Sequence, residues 1–186
     1  MKKAIFVLLF MSCATLVAQD TWKADGAHSK VGFAITHLMI SEVEGQFGDF
    51  EITATADEAF SQPNFMVTIK TASIDTDNER RDNHLKSDDF FAAETHPEII
   101  FKTMGYEKTG EKTFNLTGDL TMHGVTKEVT LNGRLNGIIT DQRSQKLKAG
   151  LKLTGTVNRK DFGIGSKPFP LGDEVDMTIH LEMAQQ

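Results

Sequence analysis

Apolar and polar residues alternate with a period of two along most of this chain. Val31, Phe33 and Ile35 share one face. Phe50, Ile52 and Ala54 alternate with Glu51, Thr53 and Thr55, and Phe65, Val67 and Ile69 repeat the pattern. Ile99 and Phe101 begin another such run. Later come Phe114, Leu116, Leu120 and Met122, then Val129, Leu131 and Leu135, then Leu147, Leu151, Leu153 and Val157. Val175, Met177, Ile179 and Leu181 close the series. A two-residue period puts all apolar side chains of a strand on one side. The pattern therefore predicts about eight strands in an antiparallel sheet with one buried face. No helices alternate with the strands, which argues against a parallel α/β fold. Two runs, residues 113–123 and 146–158, are long, and long twisted strands favour closure into a barrel without sticky edges. A barrel of about eight strands is filled by its own side chains or holds one small ligand, and the pattern alone leaves both open.

One long segment breaks the rhythm. Residues 73–91, SIDTDNERRDNHLKSDDFF, are densely charged and end on the apolar pair Phe90–Phe91. The segment predicts a short helical insertion around residues 77–92, laid against the barrel and helping to close a cavity. Turn-rich pieces at residues 107–112 and 137–146 separate strands, and His123–Gly124 reads as a hairpin turn. No repeat or linker divides the chain, so one domain is predicted.

Residues 1–18 read as a secretory signal peptide and 19–186 as the domain. Lys2 and Lys3 precede the apolar run of residues 4–11, and the small residues Ser12, Ala14 and Ala18 follow. The run is too short to span a membrane. A second processing reading places a lipoprotein site at Cys13, although the residues before it match that box poorly. Cys13 is the single cysteine, so cleavage after Ala18 leaves none, excluding disulfides, thiol catalysis and cysteine-ligated metal. The expected location is periplasmic or secreted. Net charge is −6, and losing the two lysines takes it to −8. That sign excludes nucleic acid as a main partner and disfavours an anionic membrane surface.

Candidate chemistry is sparse. His28, His37, His84, His96, His123 and His180 fall in no ligand spacing of the HxH or HExxH kind. His28 and His37, nine apart on one presumed strand, would face opposite sides. Ser29 and Ser73 lack a nucleophile elbow. Arg80–Arg81 is more pointed, because a guanidinium fork suits carboxylate or phosphate. It holds either an anionic head group at a cavity mouth or an internal salt bridge to Asp77, Asp82 or Asp88.

Six pieces, AHSKVGFAITHL, VEGQFGDFE, SIDTDNERRDNHLKSDDFF, HPEIIFK, LTGDLTMHGVTKEVTL and NRKDFGIG, occur in an order that resembles the YceI-like proteins. These are bacterial periplasmic polyisoprenoid-binding proteins. The resemblance covers nearly all of residues 19–186. It implies an all-β, antiparallel eight-stranded lipocalin-like barrel with a helical insertion, and an elongated apolar tunnel. The tunnel would hold a polyisoprenoid, quinone-like or fatty acyl lipid, for transport or storage, without catalysis and with no cofactor or metal. On that basis the inward positions Phe33, Ile35, Phe101, Leu116, Met122, Leu151 and Met177 are assigned to the tunnel. Arg81 and His84 are assigned to a lipid head group at its mouth. The competing class is a histidine-dependent metal-binding stress protein or enzyme. No transmembrane span is expected in residues 19–186, transient membrane contact is compatible with the cargo, and a homodimer is an open state.

Overall fold

A computed structural model describes residues 19–165 and 170–186. The signal-peptide expectation for residues 1–18, and the Cys13 alternative, lie outside the described residues. Eleven strands form one antiparallel sheet: β1 (Asp20–Ala24), β2 (Lys30–His37), β3 (Ser41–Phe47), β4 (Phe50–Ala56), β5 (Asn64–Lys70), β6 (Ile74–Asp75), β7 (Glu98–Lys108), β8 (Thr113–Met122), β9 (Val125–Thr140), β10 (Leu147–Asn158) and β11 (Leu171–Gln185). The sheet closes because β1 pairs with both β4 and the end of β11. The result is an eight-stranded antiparallel barrel of lipocalin-like type.

Eleven segments make eight staves because three staves are interrupted. β1 and β2 are two halves of one stave, β3 and β4 of the next, and β5 and β6 of the third. The breaks lie side by side. Asp25 turns the first, its Oδ1 accepting the Ala27 N–H at 2.9 Å. At the second, Gly48 N–H donates to Ser73 O of the third at 3.1 Å, and Lys70 N–H returns to Asp49 O at 2.9 Å. The half-staves β1, β4 and β5 complete a tight ring. β2, β3 and β6 continue beyond it as a three-stranded flap carried on the first part of β11.

The periodicity found one half of each interrupted stave and all five uninterrupted ones. It passed over β1 and β6, which are short, and β3, whose Ser41–Phe47 is rich in Glu and Gly. The β8–β9 hairpin turns on His123 and Gly124, with φ of 54° and 76°, the left-handed pair of a tight two-residue loop. A Cβ at Gly124 would also sit 2.8 Å from the His96 ring, so glycine is required there twice over.

The helix is shorter than the expected 77–92. α1 spans Glu79–Lys86. Asn78 caps it, its side-chain oxygen accepting the Arg81 N–H at 3.0 Å, and Glu79 and Asp82 complement the positive end of the helix dipole. Ser87 leaves helical geometry, and residues 88–95 continue as turns that fold Phe90 and Phe91 inward. The insertion fills the space between β6, which pairs only with β3, and the start of β7.

The tight-ring end is solid. Trp22 is fully buried and meets Phe60 edge-on, with ring centroids 5.0 Å apart. Phe65, Leu116, Leu151, Met183 and Ala149 are all 1% exposed or less. Ala54 and Ala56, small residues on β4, leave room for the indole. Leu116→Ala and Leu151→Ala would each open a hole in this plug and cost about 2–5 kcal/mol. Denaturant unfolding followed at Trp22 fluorescence measures the loss.

Candidate functional site

The inward face is continuous from one end of the barrel to the other, yet its filling is not. Toward the flap, the staves diverge and enclose a cavity of about 440 Å³. That volume lies in the roughly 300–1,000 Å³ range of small-molecule sites. Phe65, Ile52, Leu131 and Leu181 belong both to the packed core and to the cavity wall, and mark where plug becomes hollow. Above them the wall is Val31, Phe33, Ile35, Val67, Ile99, Phe101, Leu120, Met122, Val157 and Met177, with others of the same kind.

Several wall residues are only half-buried although they point inward: Phe33, Ile35, Val67, Val129, Val175, Met177 and Ile179. In a filled core, such inward side chains would be fully covered. Their remaining exposure is to the cavity.

The insertion and a second loop build the far end. Leu85, Phe90 and Phe91 come from α1 and the turns after it. Phe91 meets Phe47 edge-on at 6.0 Å, and Phe47 packs on Phe33 at 5.7 Å. Ile164 follows a 3-10 turn at Arg159–Phe162. Buried Arg159 pins this loop by donating to Ile164 O at 2.9 Å, Gly165 O at 2.6 Å and Gly172 O at 2.8 Å. It also pairs with Asp173 at 3.2 Å. Gly165, at φ +63°, lies so close to Arg159 and Phe90 that a Cβ would collide with both.

Among the described residues, the cavity lining carries four side chains that are cationic or able to become so, His37, Arg81, His84 and Arg159, and no carboxylate, hydroxyl or thiol. Arg81 makes no salt bridge to Asp77, Asp82 or Asp88. Its Nε donates to Thr76 Oγ1 and its Nη2 to Thr76 O, each at 2.7 Å. Asp82 is engaged elsewhere in the same knot, accepting from Thr76 N–H at 2.9 Å and Thr76 Oγ1 at 2.5 Å. The guanidinium of Arg81 is thus held in place by neutral oxygens, and the residue lines the cavity. His84 lies 3.6 Å from Asp89 and stacks edge-on against Phe90 at 5.0 Å.

Of the positions assigned from sequence, Phe33, Ile35, Phe101, Met122 and Met177 line the cavity, as do Arg81 and His84. Leu116 and Leu151 do not, and their assignment to the tunnel is corrected. Both face inward but lie in the plug, since alternation fixes the face of a strand and not the height along the barrel. Phe47, Leu85, Ile164 and Arg159 were not assigned to the tunnel or its mouth, the first because β3 was not read as a strand. NRKDFGIG was visible as a motif, though nothing in it announced a loop pinned by a buried arginine.

Of the histidines, only His37 and His84 are among the described lining residues of the cavity. His28 lies in the turn between β1 and β2, so strand parity with His37 does not apply. Its Nδ1 is 2.9 Å from Asp25 Oδ2. Asp25, His28 and Glu182 stand close enough to share an ion, but Lys148 Nζ already sits 2.7 Å from Glu182. That ammonium, shared with Asp141 at 3.8 Å, offsets part of the negative charge of the cluster. His123 bonds to Phe162 O at 2.9 Å and its ring packs on His96, which fastens the hairpin to the second loop.

A closed antiparallel barrel, packed at one end and hollow and apolar at the other, is a ligand-binding barrel of lipocalin-like type. The chain belongs to the YceI-like family, whose YceI-like domain matches residues 22–183. It is 40% identical to Protein YceI of Escherichia coli O157:H7 over an alignment of 195 residues that covers 100% of both chains. Campylobacter jejuni YCEI protein is 36% identical, with a TM-score of 0.75, covering 95% of this chain and 99% of that one. Burkholderia cenocepacia BcnA is 25% identical, with a TM-score of 0.77, covering 86% of this chain and 98% of that one. A polyisoprenoid binding domain from Saccharophagus degradans, implicated in plant cell wall breakdown, shares the fold at a TM-score of 0.65 and 13% identity, covering 89% of this chain and 98% of that one.

The His28–Asp25 contact generates a pH prediction. Hydrogen bonding to Asp25 raises the His28 pKa above its ordinary 6.5, and the same bond lowers that of Asp25 below 3.8. A group whose pKa rises on folding stabilises the fold at pH below its unfolded value. That contribution disappears as pH climbs through the raised folded value. An NMR titration should place the His28 midpoint above 6.5, and Asp25→Asn should bring it back down.

Proposed function

We propose that this protein is a non-catalytic carrier or store for a long apolar lipid, of the polyisoprenoid or quinone-like kind, acting in the periplasm. One observation carries this reading: the inward hydrophobic residues of the flap half surround an unfilled volume and do not mesh. Family membership supports it, and so does the shared fold of a domain named for polyisoprenoid binding.

Physical chemistry supports the same reading. Each CH₂ taken out of water contributes about 0.8 kcal/mol. An apolar cavity therefore holds a long tail without polar contacts, within a ceiling of about −0.3 kcal/mol per heavy atom. Such a site sorts cargo by length and width. The head group lies at the end where Arg81 and His84 face the cavity, which favours an anionic or carbonyl-bearing head. No carboxylate, hydroxyl or thiol among the described residues lines the cavity beside His37 and His84 to orient them for acid–base work.

Organic extraction of the protein purified from its own host, followed by mass spectrometry, is expected to yield a stoichiometric isoprenoid-type lipid. Phe101→Trp and Met177→Trp, which push an indole into the hollow, should cut lipid capture about tenfold or more (roughly 1.4 kcal/mol). Leu151→Ala should lower stability and leave capture intact. Equal capture by all of these variants and the parent overturns the reading.

A further inference from the structure

The β2–β3 hairpin ends on Leu38, Met39 and Ile40, which are 54%, 83% and 85% exposed. The other hairpin tips in the described residues are polar: residues 109–112 are TGEK and 141–146 are DQRSQK. Where a loop does carry a large apolar residue, as at Phe60, the ring turns inward and is 4% exposed. Leu38, Met39 and Ile40 do the opposite. Leu38 and Met39 also adopt φ of 52° and 60°, values that favour glycine or asparagine in such a turn. Turn chemistry and solubility both argue against this sequence here. An exposed, strained apolar tip of this kind is a functional signature.

Its position is specific. His37, the residue before the tip, lines the cavity and pairs with Leu171, another lining residue. Leu38 N–H donates to Pro170 O at 2.8 Å, and Pro170 also lines the cavity. An apolar path therefore runs from the tip over Pro170, Leu171 and Ile35 into the hollow.

We propose that Leu38, Met39 and Ile40 form a membrane-docking tip that inserts into the surface of a lipid bilayer and sets the cavity rim against it. The proposal rests on the lipid-carrier reading for its purpose, since a water-insoluble cargo must be exchanged with a membrane. A bilayer fits better than a protein partner because three adjacent apolar side chains on a hairpin tip form a narrow wedge and not a broad shaped surface. Insertion goes by apolar burial, because the neighbouring charges on β3 are Glu42 and Glu44. Neutral lipid is therefore favoured over anionic lipid, and binding resists salt.

The test uses protein purified after expression of the full chain, with phosphatidylcholine vesicles. The parent is expected to co-float with vesicles at low and high salt. Combined Leu38→Ser, Met39→Ser and Ile40→Ser should reduce co-flotation at least tenfold with unchanged circular dichroism and melting temperature. Met39→Trp gives an independent readout, because the single native tryptophan, Trp22, is fully buried. Its added emission should shift to the blue on vesicle addition. Equal flotation of parent and triple variant, with no emission shift, overturns the proposal. A triple variant that turns a dimer into a monomer without altering flotation also overturns it, in favour of a second copy of the chain. Flotation that depends on the tip in a protein yielding no extractable lipid supports docking and removes the carrier reading. Extractable lipid without tip-dependent flotation does the reverse.

Discussion

The pairing of the first strand with the last holds this molecule in its working shape. Trp22, Lys23 and Ala24 register against Gln185, Ala184 and Met183, and these few ladder positions convert a curled sheet into a tube. Closure removes the sheet edges at that end. It also gathers Trp22, Phe60, Phe65, Leu116, Leu151 and Met183 into a dry plug. With the ring locked by that plug, the opposite half is free of the need to fill itself. β2, β3 and β6 diverge from the ring, and the hollow lies between them and the long staves β8 to β11.

An empty space is costly to a protein. At ~24 cal/mol per Å³, leaving about 440 Å³ unfilled forgoes at most about 10 kcal/mol of packing, as much as the whole net stability of an ordinary domain. Collapse would be the default response of a loosely held cavity. What resists it is polar and sits at the far end. The Thr76–Arg81–Asp82 knot fixes α1 against β6, and buried Arg159 fixes the loop carrying Ile164. Two stiff pieces keep Phe90, Phe91 and Ile164 at a distance from the plug. The charged insertion is thus a spacer, and in the proposed role a lipid tail would supply the missing packing.

Much of this was legible in the residues. Alternation in VGFAI, FEITATA and FMVTIK located strands, and the density of charge in residues 73–91 located the insertion. Face could be read because it depends on neighbours along the chain. Depth could not, because it depends on how staves are staggered across the barrel. Hence Phe101 and Leu151 looked equivalent, though one lines the hollow and the other the plug. The interruption of staves at residues 25–29, 48–49 and 71–73 was equally hidden, since the second and third breaks are tied to each other by bonds across the staves. The family resemblance supplied the tunnel, which alternation had left undecided.

A crystal structure of the protein as purified from its own host is the most direct test. A lipid-carrying barrel predicts continuous tubular density from the level of Phe65 and Leu131 toward Arg81 and Leu171, with Phe33 and Met177 in contact along its length. A cavity closed by inward rotation of Phe33, Phe91 and Met177, with side chains meeting across it and no density between them, would contradict it.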